Sequence, residues 1–536
     1  MQTKGAKGAF YLYIVLALGL ALRLVNLQDP LIDKQAWRQT DTAAIARNFY
    51  EEGYSLFYPR VDWRGTTPGY VETNFPLYPF VVALLYAAAD GSYEWLGRLV
   101  AVLCSIAAAA LLYWLGLRLG LGWLGALLAA LLYLLFPTSI YYGRTFMPEA
   151  LMILLSVGSL WASARWIDSS RRWDFALAVL LVALCFLVKI PTLYLGFPLV
   201  ALAWLRWGWR FAFKPVLWLY LVLALAPAVL WYWHASLLFE ETGLTFGIWN
   251  RYGYDKWDRS LLFTADFYVT LLERFWHSVY TPAGAILVLA GLALAPSQRR
   301  EWTLWVWMGG LVLYVFVVPE GNRRLHYYQL PFAPVGALLA GRVLEAIIGA
   351  DAAAAGWCRF ARNWTHYWRV VLICTLIVGV AAYSAWAVRP YYAQPNNWHN
   401  YYQSCHLVGR ILDAKLPQDA LLVIGDEDEN TGVPHRSQSP TLLYYCHRKG
   451  WQITPDEFAP DRLDSLAAEG ADYFLVAAGF VVGNESFWQD LLRRGVTIPS
   501  AYPRQWHDEV EFMHFVGRQP RQDRHFILVS LARHGE

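Results

Sequence analysis

Residues 36–45 read AWRQTDTAAI and lie in a polar segment, Gln28 to Asn74, that is wedged between hydrophobic segments. Acidic and aromatic side chains, Asp41 and Trp37 among them, are concentrated here directly beside an apolar run. Ionisable groups at a membrane boundary are costly to keep and commonly mark a functional site. The segment therefore predicts chemistry at a membrane surface.

The composition of the whole chain sets its class. Hydrophobic residues make up 57% of the 536 residues, charged residues make up only 16%, and the mean hydropathy is +0.31. This leaves too little polar surface to cover one water-soluble globule. The 28 tryptophans fit aromatic belts at membrane interfaces. A net charge of +3 without a basic arm argues against a nucleic-acid partner.

Apolar runs of roughly 20 residues are long enough to cross the hydrocarbon core as helices. We expect about eleven transmembrane helices, and thus a polytopic α-helical membrane protein. The predicted spans are Phe10–Leu27, Trp95–Leu117, Leu121–Tyr141, Ala150–Trp166, Phe175–Lys189, Thr192–Trp207, Pro215–His234, Pro282–Ala295, Trp302–Val318, Tyr328–Gly349 and Val370–Val388.

A further apolar stretch, Phe75–Ala89, is short and opens with Pro76 and Pro79, which favours a juxtamembrane or re-entrant helix. If this stretch does not cross, the Lys and Arg groups of the short loops, such as Arg299 with Arg300, share one side. The positive-inside rule makes that side cytoplasmic.

We therefore expect a transmembrane domain over residues 1–389, with an outer loop and its juxtamembrane helices at 28–94. Residues 390–536 are more polar and alternate strand and helix patterns, which predicts a soluble α/β domain on the outer face. Predicted strands are Ala420–Ile424 and Tyr473–Ala477, and predicted helices are Pro440–Arg448, Arg462–Glu469 and Ser486–Arg494.

Four motifs occur in a characteristic order along residues 1–390. They are the run Trp37–Thr42 containing Asp41, Glu72 before Phe75–Tyr78, Glu149 after Arg144–Pro148, and His326–Pro331 near a late span. In this order they resemble the C-type integral-membrane glycosyltransferases. The closest branch is glycosyltransferase family thirty-nine, which includes protein O-mannosyltransferases and the aminoarabinose transferase that modifies lipid A.

The resemblance implies an inverting hexosyl- or pentosyltransferase that takes its sugar from a polyprenyl-phosphate donor. The acceptor would be a glycan, lipid or protein hydroxyl at the periplasmic face of a bacterial inner membrane, with the C-terminal domain periplasmic. This chemistry needs a carboxylate to take the acceptor proton and cations to stabilise the departing phosphate.

Asp41 is the candidate base, because the family keeps an acid in this loop. An alternative is that Asp41 caps a helix that starts at Ala43. Asp33 and Asp62 in the same loop are expected to be solvated.

Glu149 matches the second acid of the family, which is usually Asp, and Glu72 matches the acid before the juxtamembrane helix in the aminoarabinose branch. The alternative for Glu149 is a favourable interaction of an acid with a helix N-terminus.

Candidate phosphate ligands are Lys189, which interrupts an apolar run, the cluster Arg323, Arg324 and His326, and Arg98 at a span end. The resembling branch has a lysine at a place comparable to Lys189 that meets the lipid phosphate. Simple snorkelling of these cations to the interface is the rival interpretation.

Metal binding stays open. No HExxH, CxxC or EF-hand pattern is present, and Asp41 and Glu149 could hold a divalent cation only if the fold brings them together. A disulfide between Cys405 and Cys446 is also open, since both belong to the predicted outer domain.

Two rival functions compete with the transferase. A lipid or glycan transporter would also have many spans and buried cations, but these charges cluster at span ends and no paired broken helices recur. A lipid-linked oligosaccharide ligase would use an outer arginine and histidine without a catalytic acid. Replacement of Asp41 by alanine separates the three.

Overall fold

The computed structural model describes residues 2–249, 256–349, 365–392, 397–427, 431–437, 439–481, 483–499, 505–506 and 525–531. The chain divides into two compact units. We call Met1–Leu27, Trp95–Trp233 and Asp255–Pro390 the helical unit. Gln28–Glu94, His234–Tyr254 and Tyr391–Glu536 form the mixed unit.

The described residues contain the following α-helices in chain order. They are α1 Gln2–Arg23, α2 Ala36–Glu52, α3 Leu77–Ala89, α4 Glu94–Leu119, α5 Trp123–Leu135, α6 Pro137–Tyr142, α7 Glu149–Ser169, α8 Arg172–Val188, α9 Gly196–Trp207, α10 Pro215–Thr242, α11 Ala265–Arg274, α12 Pro282–Ala293, α13 Trp302–Val317, α14 Pro319–Arg324, α15 Phe332–Ile348, α16 His366–Ala387, α17 Arg389–Tyr392, α18 Asn397–Lys415, α19 Thr441–Cys446, α20 Pro460–Ala468, α21 Ala478–Val481 and α22 Glu485–Arg494.

Every predicted span overlaps a helix, Leu121–Tyr141 being divided between α5 and α6, and the polytopic helical fold class is confirmed. Within the described ranges, six helical segments are long and apolar enough to cross a membrane: Glu94–Leu119, Glu149–Ser169, Ile190–Phe213, Pro215–Thr242, His326–Ile348 and His366–Tyr392. A seventh results if Ala265–Val279 and Pro282–Ala293, which are bent by 106°, form one span. The remaining predicted spans are shorter helices, such as α5 and α13.

Small residues let the helices of the helical unit pack closely. At the contact of α5 with α15, a Cβ added to Gly341 would lie 2.4 Å from the carbonyl oxygen of Gly125. Only glycine permits this approach, which is typical of helix pairs in membranes. Near this contact, Glu345 accepts a hydrogen bond from the backbone N–H of Gly122 at 2.9 Å.

The mixed unit contains a six-stranded sheet with strand order β2-β1-β3-β6-β4-β5. Its strands are β1 Leu421–Gly425, β2 Lys449–Ile453, β3 Tyr473–Ala477, β4 Val496–Thr497, β5 Gln505–Trp506 and β6 Phe526–Ser530. β1 pairs in parallel with β2 and β3, and β3, β6, β4 and β5 pair antiparallel. The predicted C-terminal sheet domain is therefore confirmed.

Alternating side chains give this sheet two buried faces, because successive residues of a strand point to opposite sides. Val423 and Phe474 face a core with α20 and α22. Leu422 and Leu475 face a second core with α18 and α19. Ile45, Phe49 and Trp63 lie in that second core, so the N-terminal loop of the mixed unit shares a hydrophobic core with its C-terminal part.

The segment around Trp63 lies along the outer edge of β2. The backbone of Trp63 bridges to Gly450, and the N–H of Gly450 donates to the carbonyl of Asp62 at 3.1 Å. Gly450 has a φ of +151°, and an added Cβ would overlap the carbonyl oxygen of Leu422 at 1.9 Å. A glycine is therefore required at the position that holds Asp62 and Trp63.

The disulfide considered between Cys405 and Cys446 is not formed. Both residues are free thiols and fully buried in the core that contains Trp63. Burial raises the pKa of the Cys446 thiol, which disfavours the thiolate needed for disulfide chemistry.

Candidate functional site

Asp41 lies inside α2 and is almost fully buried. Its Oδ1 accepts a hydrogen bond from Nε1 of Trp63 at 2.8 Å, and its Oδ2 accepts one from Nη2 of Arg436 at 3.1 Å. The helix begins at Ala36 with Gln35 at the N-cap position, so the interpretation of Asp41 as a helix cap is wrong. The carboxylate instead forms a buried ion pair.

Opposing effects act on the protonation of Asp41. Burial is the largest and raises its pKa, while the charge of Arg436, the hydrogen bond from Trp63 and the charge of Arg38 lower it. Burial prevails, and the pKa of Asp41 is raised above its usual range. A raised pKa lies closer to the working pH and makes the carboxylate a better proton acceptor, which suits a general base.

Aromatic rings hold Arg436 in place. Its guanidinium carbon lies 4.7 Å from the ring centre of Trp63 and 4.9 Å from that of Phe246. Its Nη1 also donates to the carbonyl of Thr245 at 3.4 Å. Arg38 lies over Phe246 at 4.8 Å. Two arginines therefore share one aromatic ring beside Asp41, and cation–π contacts favour that arrangement.

Glu72 is fully buried and supports this arrangement from the next loop. Its Oε2 accepts a hydrogen bond from Oγ1 of Thr245 at 2.5 Å. Its backbone pairs with the same segment, since Glu72 donates to Leu244 and accepts from Phe246, each at 3.0 Å. These contacts make Glu72 a positioning residue for Phe246, and a catalytic role for it stays a prediction.

The expectation that Asp33 and Asp62 are solvated is wrong, because both are buried. Asp62 accepts hydrogen bonds from Arg47 at 2.6 Å, from Lys449 at 2.5 Å and from Asn48 at 3.1 Å. A buried carboxylate is tolerated only when it is paired in this way. The charges of Lys449 and Arg47 outweigh burial and hold the pKa of Asp62 well below its usual range.

The helical unit has its own charged cluster. Glu149, the first residue of α7, is fully buried and ion-paired with Lys189, which lies just beyond the end of α8. Nζ of Lys189 also lies 5.0 Å from the ring centre of Tyr327. The second carboxylate oxygen of Glu149 has no hydrogen-bond partner among the described residues. Glu149 thus has a buried acceptor atom to offer to a ligand.

The three cations predicted near Tyr327 have different surroundings. His326 is buried and its ring lies 6.3 Å from that of Tyr142. Arg323 is ion-paired at the surface with Asp266 at 2.9 Å, and Arg324 is exposed. Only His326 of this predicted cluster is therefore buried.

The loop that carries these cations is held by amide contacts. Arg274 donates to the carbonyl of Asn322 at 2.7 Å, and Nε2 of Gln329 donates to the same carbonyl at 2.8 Å. Asn322 and Gln329 are both fully buried. This network fixes the chain on either side of His326.

Arg98 lies in α4 and is fully buried against the chain that follows the end of α1. Its Nη1 donates to the carbonyl of Asn26 at 3.1 Å, and Arg144 donates to the same carbonyl at 2.5 Å. The two arginines hold the chain where it leaves the helix, with Asn26 at a φ of +55°. This is a structural role, and phosphate binding by Arg98 stays a prediction.

Within the part of the chain that the structure describes, no group of three or more His, Cys, Asp or Glu side chains is placed to hold a metal ion. The arrangement around Asp41 instead supplies positive charge from Arg436 and Arg38.

Residues that surround the predicted acids were not identified from the sequence. Arg436 and Phe246 lie far from Asp41 along the chain, and no local pattern links them. Trp63 had one usable signal, its place in the same polar loop as Asp41.

Comparisons with known proteins bear on the class. Residues 72–233 match the family model described as dolichyl-phosphate-mannose-protein mannosyltransferase. No curated protein sequence gives a significant match.

Solved structures with a similar fold cover nearly the whole chain. ArnT from Cupriavidus metallidurans bound to undecaprenyl phosphate is 13% identical with a TM-score of 0.64, over 97% of this chain and 98% of that one. Its apo state is 15% identical with a TM-score of 0.61, over 98% of each chain. The apo oligosaccharyltransferase of Archaeoglobus fulgidus is 13% identical with a TM-score of 0.53, over 93% of this chain and 75% of that one. The chain therefore has the fold of the C-type integral-membrane glycosyltransferases that its motifs predict, with the mannosyltransferase family model matched over residues 72–233.

Proposed function

We propose that the chain is an inverting glycosyltransferase that moves a hexose or pentose from a polyprenyl-phosphate donor to an acceptor hydroxyl. The observation that carries this proposal is the buried carboxylate of Asp41, held by Trp63 and Arg436, in a chain with this fold. The acceptor is a glycan, a lipid or a protein at the periplasmic face of a bacterial inner membrane, and the C-terminal domain is periplasmic.

In the proposed reaction Asp41 is the general base. The acceptor oxygen attacks C1 of the sugar from the side opposite to the phosphate, and its proton passes to Asp41. The bond from C1 to the phosphate oxygen breaks, its electron pair leaves with the phosphate, and the configuration at C1 inverts. A carboxylate accepts about four hydrogen bonds, so Asp41 can accept one from the acceptor hydroxyl in addition to those from Trp63 and Arg436. The raised pKa of Asp41 supports proton uptake.

Lys189 is the proposed ligand of the donor phosphate. In the structure it is ion-paired with Glu149, so an incoming phosphate would replace a carboxylate as its partner. Charge-assisted contacts of an ammonium group with phosphate oxygens stabilise the leaving group. Glu149, with its unpaired buried oxygen, is proposed to orient a hydroxyl group. His326, Arg323, Arg324 and Arg98 are further proposed ligands of the phosphate.

Similar structures support the donor class. One was solved with undecaprenyl phosphate, and an archaeal oligosaccharyltransferase with a TM-score of 0.50 was solved with a dolichol-phosphate. Both ligands are long isoprenoid chains that end in phosphate.

The test uses purified full-length protein in proteoliposomes with a panel of polyprenyl-phosphate sugars and hydroxyl acceptors. Release of polyprenyl phosphate together with a new glycoside of inverted configuration is expected for one donor. If the lipid-linked sugar crosses the bilayer unchanged, the protein is a transporter and the proposal fails. A glycan transferred at an unreduced rate by an Asp41→Ala variant would indicate a ligase instead.

A further inference from the structure

The helical unit has a second feature that the proposed transfer does not use. A groove of about 800 Å³ runs between α9 and α13. Its walls are apolar and aromatic, and include Phe197, Val200, Trp204, Trp302 and Val306. Arg299, in the turn just before α13, lies at its rim.

Ring contacts and a glycine define how this groove is built. The two helices run antiparallel, since Tyr194 packs on Tyr314 at 6.0 Å and Phe197 lies against Gly310. A Cβ added to Gly310 would lie 3.0 Å from Phe197, so the helices touch at this end. Toward the other end they enclose the groove, which finishes at Trp302 and the exposed side chain of Arg299.

The groove walls suit a hydrocarbon ligand. Val200 of α9 and Trp302 of α13 are each 51% exposed. α9 belongs to a segment, Ile190–Phe213, that is apolar enough to cross a membrane, so lipid rather than water is expected to cover such side chains. The ring of Trp204 meets the ring of Trp209 edge-on, with ring centres 4.0 Å apart. Tryptophans gather at the level of lipid headgroups, so this end of the groove lies at the membrane interface.

Three arginines at the same end are unpaired among the described residues. The side chains of Arg206, Arg210 and Arg299 have no hydrogen-bond or ion-pair partner within the described ranges. Two acids that pair with neighbouring cations are already engaged. Asp168 is paired with Arg118 and Arg300, and Glu301 is paired with Arg342.

We propose that this groove binds an anionic phospholipid. Its acyl chains lie between α9 and α13, and its phosphate is bound by Arg299, with Arg206 and Arg210 adding positive charge. The positive-inside expectation puts these arginines in the cytoplasmic leaflet, where anionic lipids attract clustered Lys and Arg. The groove is therefore expected to select a lipid that combines a negatively charged headgroup with hydrocarbon tails.

Native mass spectrometry of the full-length protein, titrated with phosphatidylglycerol or phosphatidylcholine, tests this. Wild type is expected to bind phosphatidylglycerol several-fold more tightly. Arg299→Gln should lose about fivefold of that affinity, as one surface charge predicts. Ala201→Trp should block binding of both lipids by filling the groove without altering charge. The control Arg172→Gln, which removes an exposed arginine away from the groove, should bind like wild type.

Three results would overturn the proposal. Equal affinity for the two lipids would remove the role of charge. Unchanged binding by Arg299→Gln, a surface variant that should fold normally, would place the lipid elsewhere. Displacement of phosphatidylglycerol by undecaprenyl phosphate at equal concentration would show that the groove holds the tail of a polyprenyl lipid.

Discussion

Nη2 of Arg436 donates a hydrogen bond to Oδ2 of Asp41 at 3.1 Å, although the two residues are 395 positions apart in the chain. Trp63 lies between them as a donor to Asp41 and as an aromatic surface for Arg436. The proposed base is thus held by a residue from the C-terminal part of the mixed unit. The proposed mechanism therefore assigns that part of the chain a role in catalysis that can be measured.

Replacement of Arg436 by methionine should shift the pH dependence of transfer. In the proposed mechanism Asp41 acts as a carboxylate, so the rate should fall as the pH drops through its pKa. Burial raises that pKa and Arg436 lowers it, so loss of Arg436 raises it further. The acid limb of kcat/KM should move to higher pH by about 1–3 units.

The control for this shift is Arg493→Met, which removes an arginine that is 76% exposed. Its pH profile should match that of wild type. An acid limb that stays in place in Arg436→Met, with activity retained, would contradict the role of Asp41 as the titrating base.

Asp62→Asn should destabilise the mixed unit by about 3–5 kcal/mol, since it leaves Arg47 buried without its ion-pair partner and leaves Lys449 with only Glu52, at 3.5 Å. The pKa of Asp62 is lower in the folded state than in the unfolded state. Its ionised carboxylate therefore contributes fully to the free energy of unfolding above the unfolded-state pKa of about 4, and this contribution is lost as the pH falls below that value. Thermal unfolding in detergent should show a constant difference from wild type between about pH 5 and pH 8, and a smaller one in acid. A difference that grows in acid would disprove this assignment.

Lys189 and Glu149 allow structure and function to be separated by a double-mutant cycle. Lys189→Met alone should cost about 3–5 kcal/mol, because it leaves Glu149 charged, buried and unpaired. Adding Glu149→Gln should restore most of that stability. If Lys189 binds the donor phosphate, the double variant should regain stability but not donor affinity. A raised Kd for polyprenyl phosphate would show this. Wild-type donor affinity in the double variant would reduce Lys189 to a structural partner.

Gly450→Ala should destabilise the sheet edge and slow transfer together. Its Cβ would overlap the carbonyl oxygen of Leu422 at 1.9 Å, and relief of that overlap moves the segment that carries Trp63. The expected cost is about 1–3 kcal/mol or more. Gly483→Ala, where an added Cβ meets nothing within 4 Å, is the control. A stable Gly450→Ala variant with full activity would exclude this link.

The sequence was sufficient to predict elements that depend on local pattern. Apolar runs gave the positions of the helices, and β3 has the predicted bounds Tyr473–Ala477. The division into two units was less accessible. Residues 28–94 join residues 391–536 through a shared core, and no periodicity within either segment encodes that long-range contact.

The site was predicted only in part, because sequence patterns identify candidate residues but not their long-range contacts. Acids in motif context, such as Asp41 and Glu149, could be selected as candidates from the sequence. The solvation expected for Asp62 was wrong because its partners Arg47 and Lys449 are joined only by the fold. Pairing with distant cations decides whether a carboxylate is buried, and spacing along the chain does not reveal it.

The most direct test of the account compares donor turnover by wild type, Asp41→Asn and the surface control Asp461→Asn in proteoliposomes with the donor identified from the panel. Asparagine keeps the shape of Asp41 but cannot take up the proton of the acceptor hydroxyl. The account predicts that Asp461→Asn turns over like wild type, whereas Asp41→Asn binds donor and loses at least about 100-fold in rate, as expected for a general base. Full turnover by a folded Asp41→Asn variant would contradict the central claim.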